Sequence, residues 1–409
     1  MPIVCWGNLA KSADSTERIE QSIQAYIEGH DENPNAHMGE DYALGAHRLQ
    51  IEIDHLPLSA RNSLMYPTAR TYKAIVDSAG YGDYLTLQAA LVYVNSIGGG
   101  SIYLKSGHYY IDDDIQLSSN TNIVGEDAEM TIIDFDGAEK RIIAQGSSGT
   151  HLRNIEFHNV QIKGMSSSDD WGMWFIYCDD IKFQDCKFLD FADPYAENTG
   201  LIAFDHCKRV TVNNCYFKNC EGGMYMSECD QLNFEFNYYE SIASWVLYVS
   251  VSTNVVFRHN RTYLCGSENA DSMIYFTDGC NDLIFDSNIF DSCRTVPIWS
   301  ENGSRIAVTN NTIGKTGTVN HAISISGCDR SIICNNRITT FTTDGIYIYG
   351  DDDYCVINSN AVTNCGGYGI KIDGATNDKN VVVGNCLVSN SSGAVSDSGT
   401  GTVVANNAS

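Results

Sequence analysis

The sequence predicts an all-β fold, a single-stranded parallel β-helix of about ten or more coils behind a short α-helical N-terminal segment. Three observations on the 409-residue chain predict it. First, Asn237, Asn260, Asn288, Asn311, Asn336 and Asn360 recur in one frame. Three residues before them stand Phe234, Phe257, Phe285, Val308, Ile333 and Ile357, and two residues after them Tyr239, Thr262, Phe290, Ile313, Ile338 and Val362. Second, the frame runs on to Asn385 and back through Cys215, Cys186 and Val160, with a drifting period of about 25 residues. A period that short has no room for a helix pair. It fits one β-helix coil, each residue roughly 4.8 Å above its counterpart, so that stacked asparagine amides hydrogen-bond along the axis. Third, the cysteines fall on the same frame. Cys178, Cys207, Cys229, Cys280 and Cys328 share one offset ahead of the ladder strand, and Cys220, Cys265, Cys293 and Cys365 lie five residues after the ladder position.

Taken in chain order, residues 1–60 stand outside the repeat. Asp14–Ile27 places Ile19, Ile23 and Ile27 on one face of an amphipathic helix, with Asp14 or Ser15 as its cap. Tyr42–Ile53 repeats the pattern and stops before Pro57. Too small for a core of its own, this segment is expected to pack on a partner chain or on the solenoid's end. Residues 61–97 supply a linker and a capping helix over Leu85–Asn95. An open β-helix end is a row of unpaired backbone groups, which a helix closes. From 98 to 409 the chain is solenoid, opened by strands flanking Ser106-Gly107 and followed by Ile123-Val124 and Thr131–Asp134.

Charge and cysteine usage narrow the partners. A formal charge of −26 opposes nucleic-acid phosphates and anionic membrane surfaces. No stretch reaches the apolar length of a membrane helix, and the first ten residues lack the basic region and apolar run of a secretory signal. The 15 cysteines form no C-x-x-C pair and no zinc spacing. Stacked in columns as small buried side chains, they are expected to be free thiols of a protein folded in a reducing cytoplasm.

The segments Gly82–Ala90, Gly99–Ile111 and Asn122–Asp134 closely resemble the start of pectate-lyase-like right-handed β-helix domains. Such domains occur in polysaccharide-degrading enzymes and phage tailspikes, and the resemblance runs through the coils to about residue 400. His30–His37 is similar to short segments of phage tail and fibre proteins. The resemblance implies a homotrimer whose N-terminal segment attaches to a phage tail or baseplate. It also implies a β-helix that binds, and often cleaves, a bacterial surface polysaccharide. Such a chain is made in the host cytoplasm and carried on the virion tail. The Gly-His-Gly, Asn-Thr-Asp and Arg-Ile-Lys set of polygalacturonases is absent, and Asp193-Pro-Tyr195 only echoes the Asp-Pro-His of alginate epimerases. No catalytic residue therefore carries over by motif.

Candidate site residues come from the outward columns. Trp174, Tyr225, Tyr248, Tyr275 and Tyr347 align at one outward position of the third strand, interrupted by Ala203, Ile298, Ser324 and Lys371. Trp171, Trp245, Trp299 and Tyr349 lie near them in sequence. Sugars stack on such rings through their C–H faces; the same rings also suit a subunit interface or plain strand propensity. Just beyond, His206, Glu228, Asp278 and Glu301 align, with Val251 between them and Asp205 beside His206. Carboxylates on neighbouring coils, about 5 Å apart, suit a retaining glycosidase. A solvated turn or a Ca²⁺ site uses the same residues, and no other cofactor is expected. Glu235, Arg258 and Asp286, flanked by Tyr238 and Arg261, form a sign-alternating column on the opposite strand, most simply a salt-bridge ladder.

The expected function is a tailspike-like protein that binds and hydrolyses a surface glycan. Asp278 and Glu301 are the acid/base pair, Glu228 and Asp205 the reserve, and Trp174, Tyr225, Tyr248, Tyr275, Tyr347 and Trp299 the sugar platform. The alternatives are a non-catalytic glycan-binding or structural virion protein, and a free polysaccharide lyase or epimerase.

Overall fold

Each coil is three short strands, because apolar side chains alternate inward on three flats and left-handed residues bend the chain between them. In one coil, Asp230–Glu235, Tyr238–Glu240 and Leu247–Ser250 bury Leu232, Phe234, Tyr239, Leu247 and Val249. The computed structural model describes residues 72–135, 140–164, 171–191, 200–266, 272–315 and 319–409. Their strands stack into three parallel sheets of 14, 12 and 12 strands, wound right-handed around one continuous apolar core. The two N-terminal helices read from sequence lie outside the described residues. No described helix is long and apolar enough to cross a membrane.

The ladder sits where the sequence places it. At the corner between first and second strands, Asn214, Phe236, His259, Ser287 and Asn310 take φ of 52 to 57°. The residue after each is Cys215, Asn237, Asn260, Asn288 or Asn311, whose side chain turns inward. Asn237 N–H donates to Asn260 Oδ1 (2.8 Å), Asn260 N–H to Asn288 Oδ1 (2.9 Å) and Asn288 N–H to Asn311 Oδ1 (2.9 Å). Each Nδ2 donates to a carbonyl one coil back, as Asn288 does to Phe257 O (2.8 Å). The column continues through Asn336, Asn360 and Asn385 to Asn407. From Cys215 to Asn385 each backbone donor at this corner thereby has an acceptor.

The cysteine column ahead of the first strand proves to be a second ladder with a changing acceptor. Cys207 N–H donates to Cys229 Sγ (3.3 Å) and Cys229 N–H to Ser252 Oγ (3.0 Å). Further along, Cys328 N–H donates to Asp352 Oδ1 (2.5 Å), and Asp352 N–H to Asn377 Oδ1 (3.0 Å). Asp352 is fully buried, and its Oδ2 has no partner. Burial pushes its carboxyl up to about 7.

Inside, Phe188, Phe217 and Tyr239 stack ring on ring at 4.8 Å spacings. The N-terminal end of the solenoid is closed by the helix Leu87–Ser96, which Thr86 caps through Ala89 N–H. It buries Leu87, Ala90, Leu91 and Val94. On the outside of the first sheet, Val256, Ile284, Ala307, Ile332, Val356 and Val381 stand in one continuous column.

Candidate functional site

The outward face of the third sheet carries the rings. Register runs from Trp174 through Ala203, Tyr225, Tyr248 and Tyr275 to Trp299, then Ser324, Tyr347 and Lys371. Trp299 therefore continues the ring column in place of Ile298, which is fully buried. The same offset corrects the acidic column. Glu301 pairs with Ser326 and stands level with Thr277, whereas Asp278 lies in the following turn with His206, Glu228, Val251 and Asn302. The cause is one extra residue. The corner Asp278-Gly279-Cys280 is longer than Asn302-Gly303, and Gly279 takes a φ of 87° that glycine accepts without strain. Counting back from the ladder asparagine crosses this corner, so residues ahead of it are assigned one place early and to the wrong face. Asp278 and Glu301 stay on neighbouring coils, but the ground for a retaining separation is gone.

With the register corrected, the wall is continuous. Ring centroids lie 5.4 Å apart for Tyr225–Tyr248, 5.2 Å for Tyr248–Tyr275 and 5.4 Å for Tyr275–Trp299. Trp171 packs on Tyr225 (5.2 Å) and on Trp245 (5.7 Å), which widens the platform at one end. Gly200 makes that pairing fit. A Cβ there would lie 2.4 Å from Trp171 Cζ3 and 2.8 Å from Trp245 Cη2. All these rings are half-buried.

Glu301 closes the other end. Its carboxylate accepts from Tyr275 O–H (2.7 Å) and Tyr349 O–H (3.3 Å), and Tyr349 in turn accepts from Trp299 Nε1–H (3.1 Å). Burial, and then Glu301, pushes both phenols up in pKa, so they remain donors. Beyond Tyr349, Tyr347 stacks on it (4.8 Å) and on His321 (4.5 Å). Tyr347 O–H donates to Asp373 (3.0 Å), which Lys371 also holds at 2.8 Å, keeping that carboxyl below its usual range. His321 lies 3.6 Å from the buried Asp344, yet burial lowers the imidazole's pKa. Sequence reasoning missed the roles of Tyr349, His321, Asp344 and Asp373, because each meets its partner from another coil, one turn away or, for Tyr349, two. Asp278 is exposed and accepts from Ser250 Oγ (3.2 Å).

The reserve carboxylates bracket an imidazole. His206 Nδ1 lies 2.7 Å from Asp205 Oδ1 and Nε2 3.1 Å from Glu228 Oε2, with Tyr177 packed on the ring at 4.5 Å. On the opposite flat the sign-alternating column stands in register, and Arg258 pairs with Glu235. Asp286 instead accepts from Thr309 (2.6 Å) and Asn310 (2.7 Å), while Arg261 pairs with Asp291 (3.4 Å). Both guanidiniums there are engaged within the chain. Among the described residues no group of three or more His, Cys, Asp or Glu is arranged to hold a metal ion.

A family model described as the right-handed β-helix region matches residues 115–266 and 265–409. No curated protein sequence matches the chain. Three solved structures are similar in fold. Tailspike protein 3 of bacteriophage CBA120 superposes with a TM-score of 0.57 at 12% identity, over 79% of this chain and 59% of that one. A PL6 family polysaccharide lyase from Pseudopedobacter saltans gives 0.57 at 13%, over 75% and 87%. A variant of the periplasmic alginate epimerase AlgG gives 0.56 at 12%, over 75% and 76%.

Proposed function

Because the chain belongs to the right-handed β-helix family, we propose that it is a tailspike-like protein that seats a bacterial surface polysaccharide on the third sheet and hydrolyses its glycosidic bonds. The observation that carries this is the unbroken wall from Tyr225 to Trp299, ended by a carboxylate that two phenols hold in place. Pyranose C–H faces stack on such rings, and a half-buried carboxylate beside them is placed to act on the bond between two stacked sugars. Glu301 and Asp278 are the acid/base pair, with Glu228 and Asp205 around His206 in reserve. Hydrolysis is favoured over β-elimination because the wall carries carboxylates, while Arg258 on the first sheet and Arg261 on the second are tied in ion pairs.

The chain is further proposed to be a homotrimer on a virion tail, attached through its N-terminal segment. The apolar column from Val256 to Val381 supports self-association, since only a partner with the same axial repeat can match it coil for coil. Light scattering that reports a monomer at micromolar concentration removes this part.

The catalytic part is tested with envelope polysaccharide of the host bacterium, following release of reducing ends. Asp278→Asn and Glu301→Gln should each abolish turnover and leave binding intact, because an amide keeps shape and loses ionisation. Full turnover in both variants refutes the pair. Binding without release of ends by the unaltered protein identifies a recognition protein, and products with unsaturated ends identify a lyase.

A further inference from the structure

We infer that the polymer seated on the third sheet is uncharged where it contacts the rings, and is not a polyuronate; this rests on the glycan reading of that face. The outward positions of the third sheet from Trp174 to Tyr349 include no lysine or arginine. Their charged members are Asp205 and Glu301, and the adjoining turn adds Glu228 and Asp278. His206 is spoken for by Asp205 and Glu228.

The cations lie at the margins, and past the turn Arg209 and Arg305 are held by Asp180 (2.6 Å) and Asp282 (2.6 Å). Lys371 stands one coil past Tyr347, bound to Asp373 at 2.8 Å and over the Tyr347 ring at 5.2 Å. Arg294 occupies the short corner leading into Val296–Glu301. Lys315 donates to Thr342 Oγ1 (2.5 Å) at the end of its own strand.

A polyuronate laid along the rings would meet these carboxylates with one charge per sugar. It would find no row of cations to neutralise them, and the −26 formal charge of the chain deepens the repulsion. Hydroxyl-bearing neutral sugars meet no such penalty. Their C–H faces stack, and their hydroxyls find Glu301 and Asp278 as acceptors.

The experiment uses the full chain and follows tryptophan fluorescence. The probes are alginate, polygalacturonate and hyaluronan, each beside its carboxyl-reduced form, which keeps the linkages and removes the charge. At low ionic strength the reduced forms should bind at least about tenfold more tightly than the parents, and the gap should shrink as salt screens the repulsion. Parent polymers that bind as tightly as the reduced ones or more so, with affinity falling as salt rises and lost in Trp299→Ala, overturn the inference and leave the glycan face standing. Quenching by neither form, or quenching that survives both Trp299→Ala and Tyr225→Ala, removes the glycan face itself.

Discussion

Asp352→Asn should stabilise the protein, increasingly so as pH rises. Asp352 is the one carboxylate among the acceptors named for the second ladder, and it accepts from Cys328 N–H through Oδ1 while Oδ2 makes no hydrogen bond. Burial raises its pKa in the folded state from an ordinary 3.8 to about 7. The folded chain therefore holds a proton that the unfolded chain has released between those values. Stability falls as pH rises across that window and levels off above it. At about 1.4 kcal/mol per unit, the ionised group costs about 4 kcal/mol above pH 7. Asparagine keeps the acceptor and removes the charge. The next rung shows where its amide can go, since Asn377 Nδ2 donates to Asp373 O (2.8 Å) and Gly374 O (3.1 Å). Denaturant midpoints of both proteins, measured from about pH 5 to 9, should diverge up to about pH 7 and then run parallel. A difference that does not change with pH, or a variant less stable at about pH 8, refutes the assignment of this cost to Asp352.

Three further outcomes are expected. Asn288→Ala strips the acceptor from Asn260 N–H and the donor from Phe257 O, both buried, and should cost about 3–5 kcal/mol in the same unfolding measurement; a loss below about 1 kcal/mol would deny the ladder its energetic role. Gly200→Ala places a methyl against Trp171 and Trp245 and should cost about 1–3 kcal/mol, with a changed near-ultraviolet circular dichroism spectrum; an unaltered spectrum speaks against the indole pairing. Val251 is β-branched, half exposed and left-handed (φ 49°) in the turn between Glu228 and Asp278, so Val251→Asn should raise stability by about 1 kcal/mol. A lower unfolding midpoint would show that the valine is held there by packing instead.

The ladder was readable because its chemistry is written in residue type. An asparagine after a left-handed corner, with bulky apolar neighbours at fixed offsets, needs no knowledge of other coils. The cysteine columns were readable in position but not in role, since nothing in Cys328 announces that Asp352 and Asn377 continue its column. The wall of rings was found, yet Trp299 and Glu301 were displaced by one place. Sequence spacing cannot distinguish a residue added in a strand from one added at a corner, and Gly279 is added at a corner. The Glu301–Tyr349 and Trp299–Tyr349 bonds join residues 48 and 50 apart, too far for any local pattern to pair them. Such contacts follow only once the register of every intervening coil is fixed.

Gly279 also bears on how such a molecule changes over generations. A residue gained at a corner leaves the sheets on both sides paired as before, because strands bond only to the coils above and below. The passage from second to third strand shows how far this tolerance extends, running from Arg294-Thr295 in one coil to 190–201 in another. Those passages lead into the strands that carry the ring wall. Insertions and deletions at the corners can thus recut the rim of the surface while the asparagine column holds the frame. A lineage under pressure to follow a shifting target would be able to retool its grip by splicing corners, with no need to redesign its spine.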